Sequence, residues 1–301
     1  MKSADFKIGT RLASAFGLVV LLSLGSAGLA LNKLSAIQTN LEDVVKDNNV
    51  KIEINHGLSQ SVHGPIAATL QDAWIVAREI SDRAGGDPGY PGLYGPSETP
   101  APVRPARIVV IETAGWKIAD ADAKAAFEAA VARLAGQGVR VHRRADDARV
   151  ALLEVALEDA GRVSHALVNY ESVWPLNTYR DRDPSKLSDF LRERLVEAEK
   201  MTQADYRKLL ATRAAARAAQ AMLLGECDVL LTLSAPGAAP MGIDATGDTV
   251  FNIPASYLGA PALSLPLLTV QGLPLGVQAI GFPDRDAELF ESAGWIDQVL
   301  R

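Results

Sequence analysis

The 301-residue sequence is poor in cysteine and histidine, with one cysteine, Cys227, and four histidines. A single cysteine cannot form an internal disulfide, and the histidines show no HxH or HExxH spacing, so we expect neither a metal site nor a cofactor. No cluster of basic residues stands out, and the net charge of −6 argues against nucleic acid as the main partner. Cys227 lies between an apolar helix end and an apolar strand, which predicts a buried structural residue.

What the chain has in quantity is apolar sequence, 48% hydrophobic residues against 22% charged ones, which is typical of a globular protein. One uncharged run, LASAFGLVVLLSLGSAGLAL, occupies residues 12–31. Twenty helical residues rise about 30 Å, which matches the hydrocarbon core of a bilayer. The run predicts a transmembrane helix, and Lys2, Lys7 and Arg11 before it place residues 1–11 in the cytoplasm of a single-pass membrane protein. A cleaved signal peptide, with Gly28 and Ala30 at its cleavage site, is the alternative.

From Asn55 onward the pattern changes to alternating strands and helices. The β-branched run at 107–113, the alanine-rich segment at 120–134 and the apolar run at 139–143 predict a strand, a helix and a strand, an order typical of α/β folds. A helix is predicted at 148–173, with a break at Trp174-Pro175, and further helices at 185–201, 202–224 and 284–300. Thr202 and Asp205 form a T-x-x-D capping pair at the start of the 202–224 helix. Further strands are predicted at 229–233, 262–268 and 273–280, and the last two are expected to be adjacent because they flank Val270-Gln271-Gly272.

A separate helix is predicted after the turn-rich residues 56–65. Thr69 and Asp72 form a T-x-x-D capping pair at its start. Helical spacing then predicts one apolar face. The residues of this face are Ile66, Leu70, Trp74, Ala77 and Ile80.

Residues 228–281 contain four blocks in a fixed order, DVLLTLSAP, GIDATGDTVFN, LGAPALSLPLL and GLPLGVQAIG. These blocks resemble the C-terminal segment of the amidase signature family. SVHGPIAATLQDA at 61–73 is similar to the helix that follows the family's signature, so the resemblance covers 55–301. It implies the C-terminal part of an amidase domain, an α/β fold in which helices cover a mixed sheet, and amide C–N hydrolysis of a small substrate.

Residues 1–54 show a different resemblance. KIGTRLASAF before the apolar run and LNKLSAIQTNLEDVVKDNNVKIE after it are similar to the first membrane helix and proximal ectodomain of methyl-accepting chemotaxis receptors. The implied organisation is a cytoplasmic N-terminus at 1–11, a transmembrane helix at 12–31, a receptor-like juxtamembrane segment at 32–54 and the amidase part at 55–301.

The resemblance also implies a Ser-Ser-Lys triad whose serines lie in a Gly/Ser-rich signature, and all three residues would precede Asn55. The sequence contains neither Gly-Gly-Ser-Ser nor Ser-Gly-Gly-Ser. Ser59 and Ser61 are the nearest candidates, but they lack the glycines that let backbone N–H groups approach an oxyanion. We interpret them as turn serines and assign no catalytic residue.

Four residues are candidates for a substrate pocket. Ser234 ends a strand that borders the family's cleft, and Asp244, Thr246 and Asp248 belong to the loop that follows. The alternative interpretation of this loop is turn chemistry.

Four hypotheses follow for the function of the chain. It is an amidase fragment that is inactive alone, a membrane-anchored module that binds amides, a half-enzyme completed by a second chain, or a joining of two unrelated coding segments near Asn55. If the N-terminal segment does not belong to the protein, a cytoplasmic amidase is expected instead of a membrane protein. A partial sheet also predicts marginal stability or assembly, because strand edges and apolar faces lie uncovered.

Overall fold

The sheet at the centre of the fold is mixed and, in the computed structural model, contains seven strands within the described residues 50–53, 64–84, 92–242 and 247–301. The strands are β1 (Val50–Glu53), β2 (Ile66–Ala67), β3 (Arg107–Val110), β4 (Arg140–His142), β5 (Val229–Leu233), β6 (Ala262–Val270) and β7 (Leu273–Ile280). They lie in the order β2-β1-β6-β7-β5-β3-β4. β3 pairs in parallel with β4 and β5, and the other pairs are antiparallel. This is the mixed α/β sheet that the sequence predicts.

Helices cover both faces of this sheet. They are α1 (Leu70–Ala84), α2 (Ala121–Gly136), α3 (Ala148–Leu157), α4 (Ala160–Glu171), α5 (Val173–Arg182), α6 (Asp189–Glu199), α7 (Gln203–Ala221), α8 (Ile253–Leu258) and α9 (Asp286–Leu300). The single helix predicted over 148–173 is wrong, because a turn at residues 158–159 divides it into α3 and α4. The break predicted at Trp174-Pro175 lies within α5, where Trp174 leaves the helical region with φ −100° and ψ 126°.

Two apolar cores flank the sheet, one on each face. Along β5, Val229, Leu231 and Leu233 belong to one core and Leu230 to the other, as the two-residue period of a strand requires. Helices α1, α2 and α9 contribute to the first core, and α3, α4, α7 and α8 to the second. Cys227 belongs to the second core and is 5% exposed, so the prediction of a buried structural cysteine is confirmed.

The buried face of α1 differs in part from the predicted one. Trp74 and Ala77 are buried as expected, but Ile80 is 53% exposed. Ser81 is buried in its place, and its hydroxyl accepts a hydrogen bond from the backbone N–H of Leu93 at 2.9 Å. The prediction failed because the segment around Leu93 covers the polar Ser81 side of the helix. Ile66, the other misplaced member, lies on β2 and is 47% exposed.

The capping predictions are confirmed. Thr202 accepts from the backbone N–H of Asp205 at 3.2 Å, while Asp205 accepts from that of Thr202 at 3.1 Å. Thr69 accepts in the same way from the N–H of Asp72 at 3.0 Å. Each pair satisfies backbone donors that a helix N-terminus leaves free.

The predicted membrane segment at 12–31, together with residues 1–11 and 32–49, lies outside the described residues. Residues 50–53, which the sequence analysis assigned to the receptor-like segment at 32–54, form β1 and pair with β6 in the sheet. In the part of the chain that the structure describes, no helix combines the length and apolar character needed to cross a bilayer.

Candidate active site at the carboxyl ends of the central strands

The parallel strands β3 and β5 end at the same edge of the sheet. Ser234 follows directly after β5, and Thr113 lies three residues beyond the end of β3. In open α/β sheets, ligands bind in the crevice outside the carboxyl ends of the strands. A functional site is therefore expected at this edge.

A row of polar side chains crosses three neighbouring strands near this edge. Thr232 on β5 is opposite Gln278 on β7, and Gln278 is opposite Ser264 on β6. Residues directly opposite each other in an antiparallel pair share one face of the sheet. The preceding row on the same face consists of the buried residues Leu230, Ile280 and Ala262. The sheet therefore changes from apolar to polar towards this edge.

Two hydroxyl groups meet at the end of the row. Ser264 Oγ donates a hydrogen bond to Ser234 Oγ at 2.7 Å, and both residues are partly buried. Gly276 on β7 makes room for this pair, because a Cβ atom there would lie 2.5 Å from Ser264 Oγ and closer still to Ser234 Oγ. A glycine at this position is thus a requirement of the hydroxyl pair.

Gln278, which lies opposite Ser264, has a side-chain acceptor without a hydrogen-bond partner among the described residues. It is 2% exposed, and its Nε2 donates to Asn252 Oδ1 at 3.1 Å. Its Oε1 is buried and has no hydrogen-bond partner among the described residues. An unsatisfied buried acceptor costs about 1–3 kcal/mol, so the atom is well suited to accept from a ligand's N–H group.

Trp116 contacts the polar row at Thr232. Its indole Nε1 donates to the backbone oxygen of Ile111 and to Thr232 Oγ1, both at 3.1 Å. Its ring packs edge-on against Phe127 and Phe251, with centroids 5.4 and 6.5 Å apart. These contacts fix the ring between the end of β3 and the polar row.

The four residues predicted to line a substrate pocket have different positions in the structure. Ser234 belongs to the hydroxyl pair. Asp248 is exposed and accepts from the backbone N–H of Val250 at 2.8 Å, which is the turn chemistry given as the alternative. Asp244 and Thr246 lie outside the described residues, as do Ser59 and Ser61.

Four residues of this site are not among those predicted from the sequence: Ser264, Gln278, Asn252 and Gly276. A signal for two of them was present, because Ser264 in ALSLPLL and Gln278 in LGVQAIG are polar residues within apolar strands. A buried polar residue in such a run is informative in itself.

No base contacts the hydroxyl pair in the part of the chain that the structure describes. Among the described residues, neither serine hydroxyl forms a hydrogen bond with a lysine, a histidine or a carboxylate. A serine hydroxyl is a weak nucleophile until a base takes its proton. No group of three or more metal-ligating side chains occurs in the described ranges either. The hydroxyl groups of the two serines can orient an amide by hydrogen bonds.

One buried carboxyl lies near the same edge of the sheet. Glu154 on α3 accepts from the backbone N–H of Glu112 at 2.8 Å, and its other oxygen lies 3.6 Å from Arg144 Nη1. Burial raises the pKa of Glu154 above its ordinary value, although the hydrogen bond from Glu112 opposes the shift. Its partners hold the chain after β3, so its role is structural.

Cys227 lies at the other edge of the sheet, just before β5. Burial raises the pKa of its thiol to about 12. The thiol is therefore protonated at neutral pH, which excludes a thiolate nucleophile there.

Comparison with known proteins shows the family to which the chain belongs. The profile of the family described as Amidase matches residues 50–290. The chain belongs to the amidase family. Of the expectations drawn from the sequence, the family and its mixed α/β sheet are therefore confirmed.

Two curated proteins show the extent of the similarity. The chain is 27% identical over 251 residues to 2-amino-5-chloromuconic acid deaminase of Comamonas testosteroni, a match that covers 78% of this chain and 53% of that protein. It is 47% identical over 66 residues to a glutamyl-tRNA(Gln) amidotransferase subunit of Rhizorhabdus wittichii, covering 19% and 13% respectively. The chain thus spans about half the length of the first of these relatives.

Solved structures agree on the fold. The structure of an amidase superposes with a TM-score of 0.65 at 22% identity, covering 83% of this chain and 58% of that one. A bacterial aryl acylamidase of the amidase signature family superposes with a TM-score of 0.63 at 16% identity, covering 84% and 58%.

Proposed function

We propose that residues 50–301 form the scaffold and one wall of the substrate cleft of an amide C–N hydrolase, and that the chain does not hydrolyse amides alone. The observation that carries this proposal is the Ser234–Ser264 hydroxyl pair, which lies at the expected edge of an amidase sheet without a base. The absence of any Gly-Gly-Ser-Ser or Ser-Gly-Gly-Ser run supports it.

The proposed substrate class is a small amide. A carboxamide N–H would donate to Gln278 Oε1, the buried acceptor without a partner, and the serine hydroxyls would bind the amide carbonyl oxygen. The named relatives include a deaminase and an amidotransferase subunit, so chemistry at C–N bonds is common to them.

Ammonia release from a panel of aliphatic and aromatic primary amides tests the proposal. We expect the purified chain to release no more ammonia than a heat-denatured sample. Turnover that persists through purification and is abolished by Ser234→Ala or Ser264→Ala, but not by the exposed control Ser97→Ala, would overturn it. Ser59→Ala and Ser61→Ala test the two serines outside the described residues in the same way.

A second candidate function is binding without turnover, which the unused Gln278 acceptor favours. Titration with benzamide, followed by ligand-observed NMR, tests it. Saturable binding that weakens at least ten-fold in Ser264→Ala and not in Ser97→Ala supports a binding module. Signals that do not change with concentration exclude it.

A half-enzyme completed by a second chain is the third candidate, and the similarity to a protein described as an amidotransferase subunit favours it. The chain would be mixed with a separately produced polypeptide that carries the family's lysine and Gly/Ser-rich signature. Amide hydrolysis that requires both components supports complementation. No activity and no co-elution of the two rejects it.

We also propose that residues 12–31 anchor the protein in a membrane with residues 1–11 in the cytoplasm, because this run is uncharged over the length of a bilayer core. Alkaline carbonate extraction of membranes tests the anchor. The full chain should stay in the pellet, and a Leu21→Arg/Leu22→Arg variant should enter the supernatant. An N-terminus near residue 30, found by mass spectrometry, indicates a cleaved signal peptide instead. Source DNA reads across codons 50–60 test the joining of two coding segments.

A further inference from the structure

A cavity of about 340 Å³ lies at the edge of the sheet opposite to the serine pair. It is placed where β3 and β5 begin and where β7 ends, and the first turns of α9 form one of its walls. Small-molecule sites have volumes of about 300–1,000 Å³, so the cavity is large enough for a small ligand. Leu224, Phe282 and Leu289 supply an apolar side.

Most charged groups in the cavity wall are already satisfied. Asp228 accepts from the backbone N–H groups of Ala106 and Arg107 at 2.7 and 2.8 Å. Glu288 forms an ion pair with Arg285 at 2.7 Å. Arg104 is exposed, so water solvates its charge, and its Nη1 donates to the backbone oxygen of Gln137. These charges therefore need no ligand.

Glu291 is the exception. It lines the cavity and is half-buried, and its carboxylate has no ion pair or hydrogen bond among the described residues. Burial, and then the negative charge of Glu288, raise the pKa of Glu291, and no nearby cation opposes the shift. A half-buried carboxylate without a counter-charge is unfavourable, and a bound cation would relieve it.

The neighbouring residue provides an independent observation. Ser292 lines the same cavity and is only 5% exposed, yet its hydroxyl forms no hydrogen bond with the rest of the described chain. The hydroxyl is therefore available as a hydrogen-bond partner for a ligand in the cavity. Ser292 and Glu291 follow each other in α9 and offer two acceptors within one wall.

We propose that this cavity binds the ammonium group of a small alkylamine. The ammonium has three N–H donors, of which Glu291 accepts one and Ser292 another, while its alkyl arm lies along Leu224, Phe282 and Leu289. A free carboxylate beside an apolar wall fits a primary amine better than it fits an anion or an uncharged alcohol. This site is separate from the serine pair and does not depend on amide hydrolysis.

Titration of the purified full chain with n-hexylammonium chloride, followed by saturation-transfer NMR and calorimetry, tests the proposal. n-Hexanol has the same alkyl arm without the charge, and sodium hexanoate has the opposite charge. We expect saturable binding of n-hexylammonium and at least ten-fold weaker binding of the other two at equal ionic strength. Absence of saturable binding, or equal binding of the alcohol, overturns the proposal.

Two variants and a control locate the site. Glu291→Gln should weaken binding at least ten-fold, whereas Glu98→Gln, at an exposed carboxylate elsewhere, should leave it unchanged. Leu224 lines the cavity but is 49% exposed, so the fold should tolerate Leu224→Lys. The lysine places a positive charge in the cavity wall and should block binding of the ammonium group. This variant tests the site even if Glu291→Gln does not fold. Circular dichroism identifies which variants are folded. Unchanged binding in a folded variant of either kind contradicts the assignment.

Discussion

Substituting Gly276 with alanine places a methyl group in the space that the Ser234 and Ser264 hydroxyls share. The new Cβ would lie 2.5 Å from Ser264 Oγ and 2.8 Å from Ser234 Cβ, which is too close for either side chain to remain in place. Separating the hydroxyls loses a hydrogen bond worth about 0.5–1.5 kcal/mol, and overpacking costs about 1–3 kcal/mol. We therefore expect Gly276→Ala to lower the free energy of unfolding by about 1.5–4.5 kcal/mol.

Urea denaturation, followed by tryptophan fluorescence and circular dichroism, measures this loss. Gly136→Ala is the matched control, because a Cβ there meets no atom within 4 Å, and alanine at the end of α2 should be neutral or stabilise by up to about 1 kcal/mol. Gly276→Ala made in a Ser234→Gly background should recover at least half of the loss. If Gly276→Ala is as stable as the wild type, or if Ser234→Gly gives no relief, the proposed packing of the hydroxyl pair is refuted.

Three further predictions concern stability and reactivity. Thr202→Ala removes the α7 cap and should destabilise by about 1 kcal/mol in urea denaturation, whereas Thr212→Ala on the same helix should not; equal effects contradict the capping account. Because the pKa of Glu154 is raised in the folded state, its protonated form stabilises the fold. This stabilisation is full below the unfolded-state pKa and is lost as pH rises through the folded-state pKa. Glu154→Gln should therefore flatten the fall of the free energy of unfolding between these two pKa values, and an unchanged pH profile would contradict this role of Glu154. Cys227 should resist iodoacetamide at pH 7.5 in the folded protein and react in urea, and rapid labelling without urea would show that the thiol is not buried.

Local signals account for the parts of the fold that the sequence predicted correctly. The β6–β7 hairpin was expected because Gln271-Gly272 separates two apolar runs, and both residues have the positive φ, 53° and 78°, of a tight hairpin turn. The cap at Thr202 depends on residues three apart. Features of this kind are determined by a few residues that are close together in the sequence.

The polar site could be predicted only in part, because its members come together through the sheet register. Ser264 and Ser234 are 30 residues apart, and Gln278 and Asn252 are 26 apart. The role of Gly276 depends on both serines at once. No local pattern contains this information, so the sequence identified Ser234 but missed its partner. The predicted burial of Ile80 on α1 is wrong for the same reason, because the buried side of this helix depends on a distant loop.

Continuous measurement of ammonia release by the purified full chain, over a broad panel of primary amides, tests most directly the claim that this amidase-family chain has no catalyst of its own. The account predicts a rate indistinguishable from that of the heat-denatured chain for every amide. Sustained turnover that disappears in Ser264→Ala and survives in Ser97→Ala would contradict it, because the hydroxyl pair would then be a working nucleophile.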